Sequence, residues 1–309
     1  MQRDDTLWKA ILEDIFDDFL RFFIPNADEI FNMERGFEFL DKELEQLFPP
    51  GENEFQPRYV DKLVKLFTRN GQEEWILVHV EVQGYVDTDF AHRMFTYYYR
   101  ILDKYQHPIT AFAILTDANR QFRPKVYERS FLGTHLRYEF NTYKVLAQTD
   151  DEIDRSDNPF AIVVQTVKLA LQGRKRGIDG EVLLELKLDL AKRLLVKKIA
   201  KAKIRVLMDF LRHYVRFHSD TLRTKFDEQI SILTNQRKTM GLEEFLLQRA
   251  ERQGEKRGER KGEKKGIEKT KKLFIQNLLT KTNHSDELIA DLADVDVSLV
   301  SKLRHKLKS

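Results

Sequence analysis

Two carboxylates on either side of a turn carry the clearest chemical signal in this sequence. Asp61 lies near the start of the apolar run 58–67, and Glu81 near the end of the run 75–84, Trp-Ile-Leu-Val-His-Val-Glu-Val-Gln-Gly. The second run is β-branched and aromatic and stops at a glycine, so it reads as a strand. Side chains alternate across a strand, which puts Leu77, His79, Glu81 and Gln83 on one face and Ile76, Val78, Val80 and Val82 on the other. A strand this apolar is expected to be buried on both sides, where a carboxylate is costly unless it is paired or holds a metal. Between the runs, Thr68-Arg69-Asn70-Gly71-Gln72 carries the Asn-Gly hairpin signal. The two strands should therefore pair antiparallel and bring Asp61 close to Glu81. Two converging carboxylates offer the oxygen ligands that Mg2+ or Mn2+ takes. The bland alternative has Glu81 capping a strand and Asp61 paired with Lys62 or an arginine.

The flanking elements must position these groups. Residues 4–23 have apolar side chains at helical spacing, from Trp8 to Phe23, and read as one amphipathic helix closed by Pro25. Asp5 falls at the edge of the apolar stripe and is the acid of this helix that would look inward; an N-terminal acid favoured by the helix dipole is an equal reading. Residues 26–57 read as helix or loop with one strand near 37–40. Asp87 or Thr88 can cap a helix that runs to about 105, on which Arg93 and Arg100 are spaced to face a phosphate backbone or to neutralise nearby carboxylates. Residues 110–116 are a central strand ended by Asp117. Residues 120–131 read as irregular and partly helical, and 136–143 as one half-buried strand. The order helix, paired strands, helix, strand, strand implies an α/β core around a mixed sheet.

Asp5-Thr6-Leu7-Trp8-Lys9, then Asp61, then His79-Val80-Glu81-Val82-Gln83 resembles the motif series of the Rpn (YhgA-like) recombination-promoting nucleases, a group also labelled transposases. These belong to the PD-(D/E)xK superfamily, here in its variant with Gln in place of the final Lys. The resemblance covers roughly residues 1–150. It implies a restriction-endonuclease-like α/β core with a mixed sheet flanked by helices, and metal-dependent hydrolysis of DNA phosphodiester bonds. It also implies Mg2+, or Mn2+, on Asp61, Glu81 and the carbonyl of Val82, with Gln83 orienting water and Asp5 completing the site. Arg93 matches an arginine that follows the E-x-Q strand in that family. The alternative is a catalytically idle DNA-binding or scaffolding protein. An RNA-acting nuclease is a third reading, and no further carboxylate set supports a DDE-type transposase.

From residue 158 the character is helical, with expected helices at 181–201, 202–217 and 220–235. Gly254, Gly258, Gly262 and Gly266 then recur at every fourth position amid Glu, Lys and Arg. That pattern reads as a fraying helix or linker, or as a close-packing helix stripe in a homo-oligomer. Near the end, Ser285 and Ser298 can cap two short helices in a helix-turn-helix-like order, whose second helix offers Lys302 and Arg304 for phosphate contacts. The expected organisation is a nuclease-like domain at 1–150, a helical domain at 158–240, a charged glycine-repeat segment at 241–270 and a small helical module at 271–309.

Composition narrows the remaining classes. The net charge of +3 announces no global attraction to nucleic acid, so any basic surface must be local. The absence of cysteine excludes disulfides, thiolate metal sites and a cysteine nucleophile, and fits a reducing cytoplasm. The first residues are acidic and amphipathic, unlike a signal peptide, and no run is apolar enough to span a membrane. The eight histidines lack zinc-ligand spacing, and no glycine pattern suggests a nucleotide cofactor.

Overall fold

The computed structural model describes residues 2–41, 44, 47, 60–81, 89–107, 109–176, 180–234, 254–255, 258, 262, 266, 269–282, 284–293 and 295–308. The first apolar stripe forms two helices, α1 (Gln2–Asp14) and α2 (Phe16–Phe23), where the spacing predicts one. They part at Ile15, which is wholly buried and has φ −132° and ψ 38°. The bend has a packing reason, because the two helices serve different partners. Trp8 of α1 meets Phe210 edge-on with ring centroids 5.8 Å apart, whereas Phe19 of α2 meets Phe160 at 5.4 Å.

A short helix, α3 (Ala27–Ile30), leads to β1 (Glu38–Phe39), β2 (Val60–Phe67) and β3 (Glu73–Glu81). These three strands are successively antiparallel. The β2–β3 turn is closed by the Gly71 N–H donating to the Thr68 carbonyl at 3.0 Å. Gly71 takes φ +87° and Asn70 does not enter the left-handed region, so the loop is an ordinary turn followed by a left-handed glycine. Next come α4 (Phe90–Tyr105), β4 (Ile109–Leu115), β5 (Val126–Phe131), β6 (Thr134–Glu139) and β7 (Asn141–Lys144). The expected caps Asp87 and Thr88 lie outside the described residues. β4 pairs parallel to β3, and β7 parallel to β4, completing a mixed sheet in the order β1-β2-β3-β4-β7.

Two expectations between 120 and 143 need correction. Residues 126–131 form a strand of the separate β5–β6 hairpin, and 136–143 is not one strand. The chain changes partner at Phe140, which is buried against α4, and pairs with β5 before it and β4 after it. The hairpin escapes sequence reading because its turn is Leu132-Gly133 in place of Asn-Gly. Both residues are left-handed, at φ 44° and 85°, as a two-residue mirror-image turn requires.

Alternation gives the sheet two covered faces. Leu63, Trp75, Leu77, Ala111, Ala113 and Leu115 pack against Phe90, Met94, Tyr97 and Ile101 of α4. On the other face Phe112 meets Phe19 and Phe23 of α2, both at 5.6 Å. A capped turn of helix, α5 (Asp150–Asp154), precedes α6 (Phe160–Arg176), α7 (Gly180–Val196), α8 (Lys201–Tyr214) and α9 (Asp220–Thr234). α8 packs on α1 and α6 on α2, and Lys203 of α8 pairs with Asp17 and Asp18 of α2 at 2.8 and 2.6 Å. Sheet and helical layer share one compact unit, Met1–Thr239.

The second unit, Met240–Ser309, holds helical residues 269–281, α10 (Asp286–Ala293) and α11 (Val297–Lys308) around Ile275, Ile289, Ala290 and Val300. Gly254, Gly258, Gly262 and Gly266 are helical, and a Cβ added at any of them would meet nothing within 4 Å.

Lys187 of α7 is buried in the helical layer, where its Nζ donates to the carbonyls of Arg212 and Val215 at 2.9 and 2.7 Å. Two acceptors match the two N–H bonds of a neutral amine. Burial pushes this ammonium down to about 7; Arg212 adds to the shift and Asp227 opposes it. The unfolded lysine titrates near about 10.4. Between those values the unfolded chain binds the extra proton, so stability should rise with pH. The urea midpoint is expected to climb between pH 7 and 10, and the climb should shrink in Lys187→Met. At the hairpin tip, Leu132→Asn suits the left-handed backbone and should raise stability by about 0.5–1 kcal/mol, read in the same titration.

Candidate functional site

Where the carboxylates fall is decided by the β2–β3 register. Asp61 pairs with His79 and Val60 with Val80, so Glu81 stands two residues beyond the partner of Asp61. The two acids thus occupy diagonal positions on one face, with backbones roughly 7–8 Å apart. They lie at the end of the sheet remote from the Thr68–Gln72 turn, where β3 and β4 end side by side with Glu81 opposite Leu115. Val82 and Gln83 lie outside the described residues, as do the side chains of Asp61 and Glu81.

This is the face that α4 covers. His79, between the two positions, is fully buried, with its ring 5.2 Å from Phe90 and 5.9 Å from Tyr97. It is a core histidine in an aromatic setting. Arg93 of α4 is half-buried with its guanidinium 5.3 Å from the Phe90 ring, toward the same end of the helix. Arg100 is exposed and donates to the Leu47 carbonyl at 3.1 Å.

Asp5 is half-buried on α1, which lies over the opposite face. That face carries Lys62, the partner of Val78, and Lys62 is paired with Glu13 of α1 and, at 2.6 Å, with Asp41. The structure therefore does not layer the Asp5 helix on the side of Asp61 and Glu81. The neighbouring Asp4 is buried and paired with Arg216.

The same sheet end carries a buried pair of opposite charges. Asp117 and Lys144 form a buried ion pair, with side chains 0% and 2% exposed. Asp117 also accepts the Asn119 N–H at 2.9 Å, and the Lys144 ammonium lies 5.9 Å from the Phe122 ring. Lys144 is the register partner of Leu115, which is the partner of Glu81. Glu81, Leu115 and Lys144 are thus one row across three strands, on one face. The available signal is an acid directly after a central strand and a lysine directly after the alternating run 136–143.

Oxygen donors on adjacent strands suit a hard divalent cation, and this is the donor chemistry that the Asp61 and Glu81 positions offer. Among the described residues no group of three His, Asp or Glu side chains is arranged to hold a metal ion. No described helix is long and apolar enough to cross a membrane.

In the C-terminal unit, Ser285 caps α10 as expected, accepting the Leu288 N–H at 3.3 Å. For α11 the cap is Asp296, which accepts the Ser298 N–H at 2.8 Å, and not Ser298. A carboxylate two residues earlier reaches the free N–H groups that the serine would have served. Lys302 is exposed, whereas Arg304 is pinned between α10 and α11 by Asp286 and by the His284 carbonyl at 2.8 Å. The Ser301 hydroxyl and Arg304 hold the Asp286 carboxyl below its usual range. Arg304→Ala is expected to speed amide exchange in α10 and α11, and Lys302→Ala to leave it unchanged, in hydrogen-exchange measurements on the full chain. In comparisons with known proteins, the chain matches no family model, no curated protein and no solved structure.

Proposed function

We propose that this chain is a metal-dependent endonuclease that hydrolyses DNA phosphodiester bonds, with a restriction-endonuclease-like core, and that it acts in DNA recombination. The observation that carries the reading is the register that sets Asp61 and Glu81 diagonally on one face at the end of the sheet. The carboxyl ends of parallel strands are where open α/β sheets bind ligands, and β3, β4 and β7 end there together. Asp61 and Glu81, with the Val82 carbonyl that the family resemblance implies, would hold Mg2+ or Mn2+. The cation would lower the pKa of a bound water and offset charge on the scissile phosphate. Gln83 orients water by hydrogen bonds and brings no charge of its own. Arg93, Arg100 and Lys302 are the arginine and lysine candidates for backbone phosphates, while Arg304 first serves its own module.

Supercoiled plasmid incubated with Mg2+ or Mn2+ tests this directly. Metal-dependent nicking by the wild type is expected, with a loss of roughly 100-fold or more in Asp61→Ala and in Glu81→Ala. DNA binding without cleavage, unchanged in both variants, would sink the enzymatic reading and leave a DNA-binding role.

A further inference from the structure

The β5–β6 hairpin has a covered base and a bare tip. On one face Tyr127 and Tyr138 stand opposite each other and pack on α4, with the Tyr127 ring 5.1 Å from Phe95 and the Tyr138 ring 4.8 Å from Tyr98. Alternation carries the same face outward to the pair Arg129–Leu136 and then to Phe131–Thr134. Phe131 is 76% exposed, and Leu132, next to it in the turn, is 89% exposed. Leu132 also holds φ 44°, a left-handed backbone that suits Asn or Gly and is costly for leucine. A turn that served stability alone would carry small polar residues here. Stability therefore does not account for a Phe-Leu tip.

The charge around the tip says what it meets. Residues 118–140 hold Arg120, Arg123, Lys125, Arg129 and Arg137, all exposed. The acids of this stretch are Glu128 and Glu139, and both pair with Arg137. Five cations against two acids leave +3, which equals the net charge of the whole chain, so the rest of the sequence balances to zero. Between the two glutamates, residues 129–138 contain no acid. Two apolar side chains at the end of a cationic arm fit a polyanion that offers apolar surface within. Duplex DNA is such a ligand: its phosphates take arginine and lysine, and the faces of its stacked base pairs receive a Phe or Leu wedge. A two-stranded ribbon is also of a size that a DNA groove admits.

Resting on the endonuclease reading for the choice of DNA, we propose that the β5–β6 hairpin is a duplex-binding arm. Phe131 and Leu132 form a wedge between adjacent base pairs, and Arg129, with the cations at the base of the arm, contacts backbone phosphates. Insertion unstacks one base step and bends the duplex, and the phosphate contacts and burial of the two side chains offset that cost. The arm fixes how the duplex is held and takes no part in hydrolysis.

The test uses the full chain in metal-free buffer, where binding is read without cleavage. Anisotropy of a labelled duplex reports affinity, and a fluorescent adenine analogue within it brightens on unstacking. Phe131→Ser, Leu132→Asn and Arg129→Ala are compared with the wild type, after circular dichroism and urea titration confirm that each folds. The wild type is expected to bind the duplex and brighten the analogue. Phe131→Ser should weaken binding roughly tenfold and abolish the brightening. Leu132→Asn should weaken both while raising the urea midpoint, a combination that damage to the fold would not produce. Arg129→Ala should flatten the salt dependence of binding by about one unit of slope and leave the brightening at saturation intact. Duplex binding by the wild type without brightening overturns the proposal, as do tip variants that match the wild type in affinity and signal. So does a loss of self-association, or of binding to phosphatidylserine vesicles, in tip variants whose duplex binding is unchanged; the tip then serves a second copy or a membrane surface. If the wild type neither binds the duplex nor nicks plasmid with Mg2+ or Mn2+, the endonuclease reading fails and takes this inference with it. If it nicks plasmid and the tip variants bind and nick equally well, the failure belongs to the hairpin alone.

Discussion

β3 is covered on both faces, and its two-residue alternation therefore decides what every neighbouring element must provide. The Leu77–His79 side meets the aromatic and aliphatic wall of α4, while the Ile76–Val78 side belongs to the layer of α1 and α2. A slip of one residue would exchange the two sets entirely. Because β2 is registered against β3, its polar residues are sorted by the same rule. Asp61, opposite His79, goes to the α4 side; Lys62, opposite Val78, goes to the α1 side and must be met there by Glu13 and Asp41. The candidate site is a consequence of this sorting at the point where the parallel strands end.

Four lysines are buried among the described residues, and three of them, Lys62, Lys144 and Lys187, are compensated in different ways. Lys62 sits between two carboxylates that tie α1 and the segment after β1 to the central hairpin. Lys144 has one carboxylate, itself fixed by a backbone N–H. Lys187 has two carbonyls at the end of α8 and the rings of Phe217 and Phe226 at 4.6 and 4.2 Å. Carbonyls at a helix C-terminus attract positive charge, yet burial favours the neutral amine, and the second effect dominates at Lys187. The three environments explain why burial alone does not label a lysine as functional.

The C-terminal unit shows the same economy on a smaller scale. Its core is a handful of aliphatic side chains, so polar contacts carry much of the geometry. Asp286 opens α10 and receives both Ser301 and Arg304 from α11. An arginine on a basic helix thereby becomes an internal clamp, while Lys302, two residues earlier, is exposed. The glycine repeat in the same unit has open space beside each of its four described helical glycines, where an added Cβ would meet nothing within 4 Å.

The sequence by itself determined the local elements. The alternating, β-branched run made β3, the Gly71 turn made the hairpin, and periodic apolar residues marked α4 and the helical layer, because these signals depend on neighbours a few residues away. It also put Glu81 on one face with Leu77 and His79, since alternation within a strand needs no knowledge of the rest of the fold, whereas the place of Asp61 beside them waited on the β2–β3 register. It missed β5, whose turn is Leu132-Gly133, and it merged β6 with β7, because a strand that changes partner at Phe140 keeps the same alternation throughout. It read one helix where α1 and α2 bend at Ile15 to reach α8 and α6. It could not say which helix covers which face, and so it could not place Asp5 relative to the two acids. Only the tertiary structure decided that α4 covers the face of Leu77 and His79, that α1 lies on the other face, and that Asp117 and Lys144 meet at the end of the sheet. Residues 27 positions apart become neighbours there because β4 and β7 pair in parallel across an intervening hairpin, and no local pattern encodes which strands will pair.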